Sequence, residues 1–99
     1  MSDDFSIAGP PFNPVEALQR LKRDLRGLGL SERGDLFERR GIAIAKATIS
    51  GDAIAAARVR RPSRSSAQWL PRHLRSSAEL RDFVNDLKQQ LALWSDRDE

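Results

Sequence analysis

The chain has 99 residues, of which 39% are hydrophobic and 31% charged, with a net charge of +3. That length makes one domain with no room for a second core, and the composition is too apolar for wholesale disorder. Cysteine is absent, which excludes disulfides and thiolate metal sites.

The fold class expected is α+β, a small single domain in the order α-β-β-β-α, with an antiparallel meander packed against N- and C-terminal amphipathic helices. Residues 1–11 mix acidic, small and proline residues and read as a flexible arm. The domain is expected over 12–95, followed by an acidic tail over 96–99. The opening MSDDFS lacks the apolar core of a secretory signal, and no uncharged apolar run approaches the roughly 18–20 residues of a membrane span. A cytoplasmic protein without membrane contact is the expectation.

The first helix is marked by Asn13 as N-cap, Pro14 at the first helical position and Glu16 three residues after the cap. Leu18, Leu21, Leu25 and Leu28 recur at three and four residues and form one apolar stripe. Arg20, Lys22, Arg23 and Arg26 take the other faces as solvent cover. Gly27 and Gly29 stop the helix. The next stretch, SERGDLFERR, fits a short helix capped by Ser31, or a strand over Asp35–Arg40 turning at Arg40-Gly41. The strand is preferred, because an isolated hairpin downstream would be marginal without a third strand.

From Gly41 to Arg61 the apolar residues do not recur at helical spacing, so one helix fails and two strands around Ser50-Gly51-Asp52 succeed. A three-residue loop sets Ile49 opposite Ala53. It gathers Ala43, Ala45, Ala47, Ile49, Ala53, Ala55, Ala57 and Val59 on one face. Ile42, Ile44, Lys46, Thr48, Ile54, Ala56, Arg58 and Arg60 take the other. A two-residue loop would mix the faces, which a half-buried sheet penalises. The rival reading has Asp52 capping a short helix through Ala53–Arg61, since alanine favours helix over strand.

Pro62–Arg75 reads as a long loop pinned by Trp69 and Leu70. The last helix opens on Ser76 and Glu79 and carries the stripe Leu80, Phe83, Val84, Leu87, Leu91 and Trp94. Such a stripe is ordinarily core. In so small a domain it also suggests a seam, with Trp69, Leu91 and Trp94 as interaction residues for a second copy or a protein partner.

The best functional signal is charge. No acidic residue occurs between Ala53 and Ala78, yet six arginines do: Arg58, Arg60, Arg61, Arg64, Arg72 and Arg75. With Lys46, which the expected register puts beside Arg58 and Arg60, they form a candidate surface for nucleic acid or another polyanion. Guanidinium groups hold phosphate oxygens in forked geometry and release counterions on binding. Ser63, Ser65 and Ser66 would add neutral phosphate contacts. The single histidine, His73, has neither cysteine partners nor a nearby orienting carboxylate. No enzyme activity, metal or cofactor is expected, and the alternative for the arginines is a solvated basic surface.

The order helix, three strands, helix is similar to that of the double-stranded-RNA-binding domain, as is Asn13-Pro14-Val15 opening the first helix. Such domains carry a lysine cluster at the start of the last helix. This chain has Ser76-Ser77-Ala78-Glu79-Leu80-Arg81 there. The phosphate-binding element is missing, and the family is not assigned.

Overall fold

A computed structural model describes residues 12–97, so the expected N-terminal arm lies outside the described residues. The elements are α1 (Pro14–Gly27), β1 (Ser31–Arg33), β2 (Leu36–Arg39), β3 (Ile42–Ser50), β4 (Ala53–Val59), β5 (Trp69–Leu74) and α2 (Ser77–Arg97). The strands form one antiparallel meander in chain order. The fold is a small compact α+β domain with five strands where three were expected. The added pair ends the likeness in element order to the double-stranded-RNA-binding domain.

The helix ends follow local chemistry. The Asn13 side chain accepts from the Val15 and Glu16 amides at 3.0 and 3.2 Å, satisfying two N–H groups that the first turn leaves orphaned. At the other end of α1, Leu30 N–H bonds to Leu25 O (3.3 Å) and Gly29 N–H to Arg26 O (3.0 Å). With Gly29 at φ 92 this is a Schellman motif, and Leu30 and Leu25 both sit in the core beneath it. In α2, Ser76 Oγ accepts from the Glu79 amide while the Glu79 carboxylate reaches back to the Arg75 amide. The reciprocal pattern of a capping box is kept, one residue further out. Residues 96 and 97 continue α2.

The central hairpin corrects the expected register. Ser50 pairs with Ala53 and Ile49 with Ile54, so the loop is Gly51-Asp52 alone. Gly51 has φ 63, and a glycine in that conformation at the first loop position makes the tight turn whose twist matches the strands it joins. The expected penalty for mixing faces rested on a sheet buried on one side. In β4, however, Ala53, Ile54, Ala56, Ala57 and Val59 are all buried, on both faces. With apolar residues on both sides, a one-residue slip has little cost and the turn decides.

The helix reading of Ala53–Arg61 is likewise displaced, because β4 is flanked by two strands that satisfy its backbone. The strand expected over Asp35–Arg40 forms, and it turns at Arg40-Gly41, both at positive φ. Opposite Phe37, β3 carries a bulge at Ile44, which leaves Ile44 and Ala45 both buried.

The expected loop over Pro62–Arg75 is shorter, because β5 occupies Trp69–Leu74. Proline is disfavoured inside a sheet, yet Pro71 fits here because β5 is an edge, where a missing N–H breaks no ladder on the open side. Both helices cover one face of the sheet and touch each other. Their Leu18, Leu21, Leu25, Leu80, Phe83, Leu87 and Trp94 close the core over Phe37, Ala45, Ala47, Ile54, Ala56 and Leu74. Each fully buried leucine or phenylalanine there contributes about 1.5–3 kcal/mol. The β3 half of the expected alanine face is thus the helix-facing one, while the β4 half is exchanged.

α1 is tied to β1 by Glu32, whose carboxylate lies 3.2 Å from Lys22 Nζ and 2.7 Å from Arg26 Nη1. The hydrogen bond from Lys22, helped by the Arg26 charge, holds the Glu32 carboxyl below its ordinary range. A lowered folded-state value stabilises the protein above the unfolded value and is lost as pH falls through the folded one. Melting profiles of wild type and Glu32→Gln should therefore differ at neutral pH and converge below about pH 4; a constant difference down to acid pH would contradict the ion-pair role.

The two glycines at the end of α1 should respond in opposite directions. A Cβ at Gly27 meets nothing within 4 Å, and Gly27 is helical. Gly27→Ala should raise stability by about 0.5–1 kcal/mol. Gly29→Ala forces an L side chain into left-handed backbone and should cost about 1–2 kcal/mol. Urea denaturation of both variants checks the pair.

Candidate functional site

The observed register divides the basic residues that the sequence groups together. Opposed residues of an antiparallel pair share a face. Ala45 faces Arg58 and Lys46 faces Ala57, so Lys46 and Arg58 point to opposite sides of the sheet. Arg58 turns under α2, where its Nε donates to Asp86 Oδ2 at 2.5 Å and its Nη1 to Val59 O at 3.0 Å. Only 16% of its side chain is accessible. It is a tie between sheet and helix rather than a free cation.

Lys46 lies on the face away from the helices, its Nζ 4.5 Å from the centroid of the Trp69 ring. Arg72 is exposed on the β5 edge, and Arg75 lies beyond the other end of β5, about 20 Å along the strand from Trp69.

What the fold does bring together is a different set. The meander puts the β2–β3 turn, the end of β4 and the start of β5 at one end of the sheet. The C-terminal part of α2 arrives there too, since Arg39 Nη1 donates to Ser95 Oγ at 2.9 Å. Arg60, Arg61 and Arg64 of the β4–β5 connection therefore stand near Arg39 and Arg40 of the β2–β3 turn.

The connection is held in shape. Arg60 N–H bonds to Gln68 O (2.8 Å), and Ser63 Oγ accepts from the Ser65 and Ser66 amides (3.4 and 3.0 Å). Ser63 thus serves the loop itself. Arg39 and Arg40 are partnered within the chain. Arg60, Arg61 and Arg64 are exposed and make no ion pair among the described residues.

Two depressions flank this end. One, of about 470 Å³, is lined by Arg60, Arg61, Gln68, Gln90, Leu93 and Trp94. The other, of about 280 Å³, is lined by Arg39, Arg40, Ile42, Ile44, Pro62 and Arg64. Arg39, Arg40, Gln68 and Gln90 are absent from the sequence-level set. Strand parity was the signal for the first two: residues just before one hairpin turn lie beside those ending the strand two places on.

The expected seam fares differently. Leu91 and Trp94 are each only 7% exposed, taken up by the domain's own core, and Trp69 is half-buried. Leu93 is the large apolar residue that α2 leaves exposed. Among the described residues no group of three or more His, Cys, Asp or Glu is placed to hold a metal ion, and no helix is long and apolar enough to cross a membrane. Comparison with protein-family models, curated proteins and solved structures finds no match, so the site rests on its geometry.

The split among the arginines has a measurable consequence. Arg58→Gln should lower the free energy of unfolding by about 1–3 kcal/mol, because it leaves the Asp86 carboxylate beside the core without its partner. Arg60→Gln, Arg61→Gln and Arg64→Gln should each stay within about 0.5 kcal/mol of wild type. Equal effects in denaturant melts would refute the division.

Proposed function

We propose that this domain is a non-catalytic polyanion-binding module, with nucleic acid as the foremost ligand, acting through Arg60, Arg61 and Arg64. The observation that carries the reading is three exposed guanidinium groups within one ordered loop, none of them neutralised by an acidic residue among those described. Surface arginines usually gain little by folding, so a cluster left without acidic neighbours stores electrostatic repulsion that a phosphate backbone relieves. The cluster sits on a connection between two paired strands that the Arg60–Gln68 backbone bond and the Ser63 turn hold in shape, which limits the ordering needed on binding. Arg39 and Arg40 extend the positive field without being required as direct contacts. Arg58, Lys46 and Arg75 stand apart from the proposed surface.

Fluorescence polarisation with labelled nucleic acid across a salt series tests this. Three phosphate contacts give a log–log slope of about −2 to −3. The triple variant Arg60→Gln/Arg61→Gln/Arg64→Gln should flatten that slope toward zero, while Lys46→Gln and Arg75→Gln leave it unchanged. Absence of binding at low salt, or a triple variant that binds like wild type, would overturn the reading.

A further inference from the structure

Beside the loop arginines lies the 470 Å³ cleft between the β4–β5 connection and the last turns of α2. Its size falls within the roughly 300–1,000 Å³ of ligand-holding clefts. Its lining is mixed: Arg60 and Arg61, the carboxamides of Gln68 and Gln90, the exposed Leu93, and the rim of Trp94. We infer that this cleft seats the base of an unpaired nucleotide, which makes single-stranded nucleic acid the ligand class. The inference rests on the polyanion reading of the adjacent arginines and adds to it a base-binding subsite.

Three features favour a single strand. Arg60, Arg61 and Arg64 are gathered on one connection at one end of the domain, whereas the other exposed cations outside ion pairs among the described residues are spread over other elements, Arg20 and Arg23 on α1, Arg72 on β5, Arg81 and Lys88 on α2. Lys46 is on the other side of the sheet and Arg75 at its far end, so neither extends the loop arginines into a longer track of cations. The surface next to the arginines is concave, and only an unstacked base can enter it while its own phosphate stays on the loop. The carboxamides present donor and acceptor side by side, the pattern that base edges complement and that a phosphorylated peptide side chain does not.

A guanidinium plane of Arg60 or Arg61 and the apolar Leu93 provide the contacts that a base face requires. Neither tryptophan offers an open stacking platform. Trp94 is 7% exposed and forms wall, and Trp69 already carries the Lys46 ammonium over its ring.

The test compares four labelled ligands at one low salt concentration: an oligodeoxynucleotide single strand, its duplex, an abasic strand of the same length, and a phosphoserine peptide. The abasic strand keeps the phosphates and removes the bases. The normal strand should bind about ten-fold tighter than the abasic strand and the duplex, as expected for two added hydrogen bonds and apolar contact. Gln68→Ala/Gln90→Ala should remove that advantage and leave abasic-strand binding as it was. In a Trp69→Phe background, Trp94 emission should change with the normal strand only.

Equal affinity for normal and abasic strands, or for strand and duplex, overturns the base seat while the arginine surface stands. A phosphoserine peptide binding as tightly as the strand overturns it too. Binding to none of the four overturns this inference and the polyanion reading together.

Discussion

Everything in this domain is arranged around β4, a strand with neighbours on both edges and buried residues on both faces. A strand so enclosed has room for little but small side chains, and five of its seven residues are alanine, isoleucine or valine with almost no exposure. The alanines Ala45, Ala47 and Ala56 leave space above the sheet, and the large residues of α1 and α2 fill it. Arg58 is the exception. A cation pressed between sheet and helix has to be paired, and Asp86 lies in reach on α2. The pair fixes where α2 crosses the sheet, and that placement brings the helix's C-terminal end to the arginine-bearing loop.

Local chemistry made much of the fold legible in the sequence. Asn13 and Pro14, Gly29, and Ser76 with Glu79 mark helix ends through hydrogen bonds made within a few residues, and the stripe from Leu80 to Trp94 is core as its period demands. The strand before Arg40-Gly41 was legible for a different reason, since the hairpin after it needs a third strand to be stable. What escaped depended on the tertiary setting. Ser31–Arg33 is exposed at every residue, so β1 carries no hydrophobic signal. Pro71 speaks against a strand unless the strand is known to be an edge. The register of the central hairpin escaped too, because alternation fixes a register only where one face is buried, and β4 is buried on both.

The candidate site shows the same limit. The acid-free run from Ala53 to Ala78 is visible in the sequence, but a run is not a surface. Alternation along β4 and pairing across β3 send Arg58 to the helices and Lys46 to the opposite face, while β5 carries Arg75 away from Arg60. Only the connection between β4 and β5, where strand alternation no longer applies, keeps Arg60, Arg61 and Arg64 together. Gln68 and Gln90 line one cleft only because α2 returns to the end of the sheet where β4 stops.

That return also bears on the strength of any anion site there. The C-terminal end of a helix carries roughly half a negative charge, from carbonyls without intrahelical partners. Arg39, bonded to Ser95 in the last turn of α2, is well placed to answer it, a contact of about 0.3–1 kcal/mol at an exposed helix end. Arg39 is therefore explained by the domain's own electrostatics. The same carbonyl field reaches the cleft beside Trp94 and offsets part of the positive potential that Arg60 and Arg61 create. A phosphate approaching from the loop side meets the guanidinium groups first, while one entering from the helix side meets the carbonyl end. Under the proposed polyanion reading, the polarity of α2 favours the loop side for phosphates and the helix side of the cleft for a neutral group.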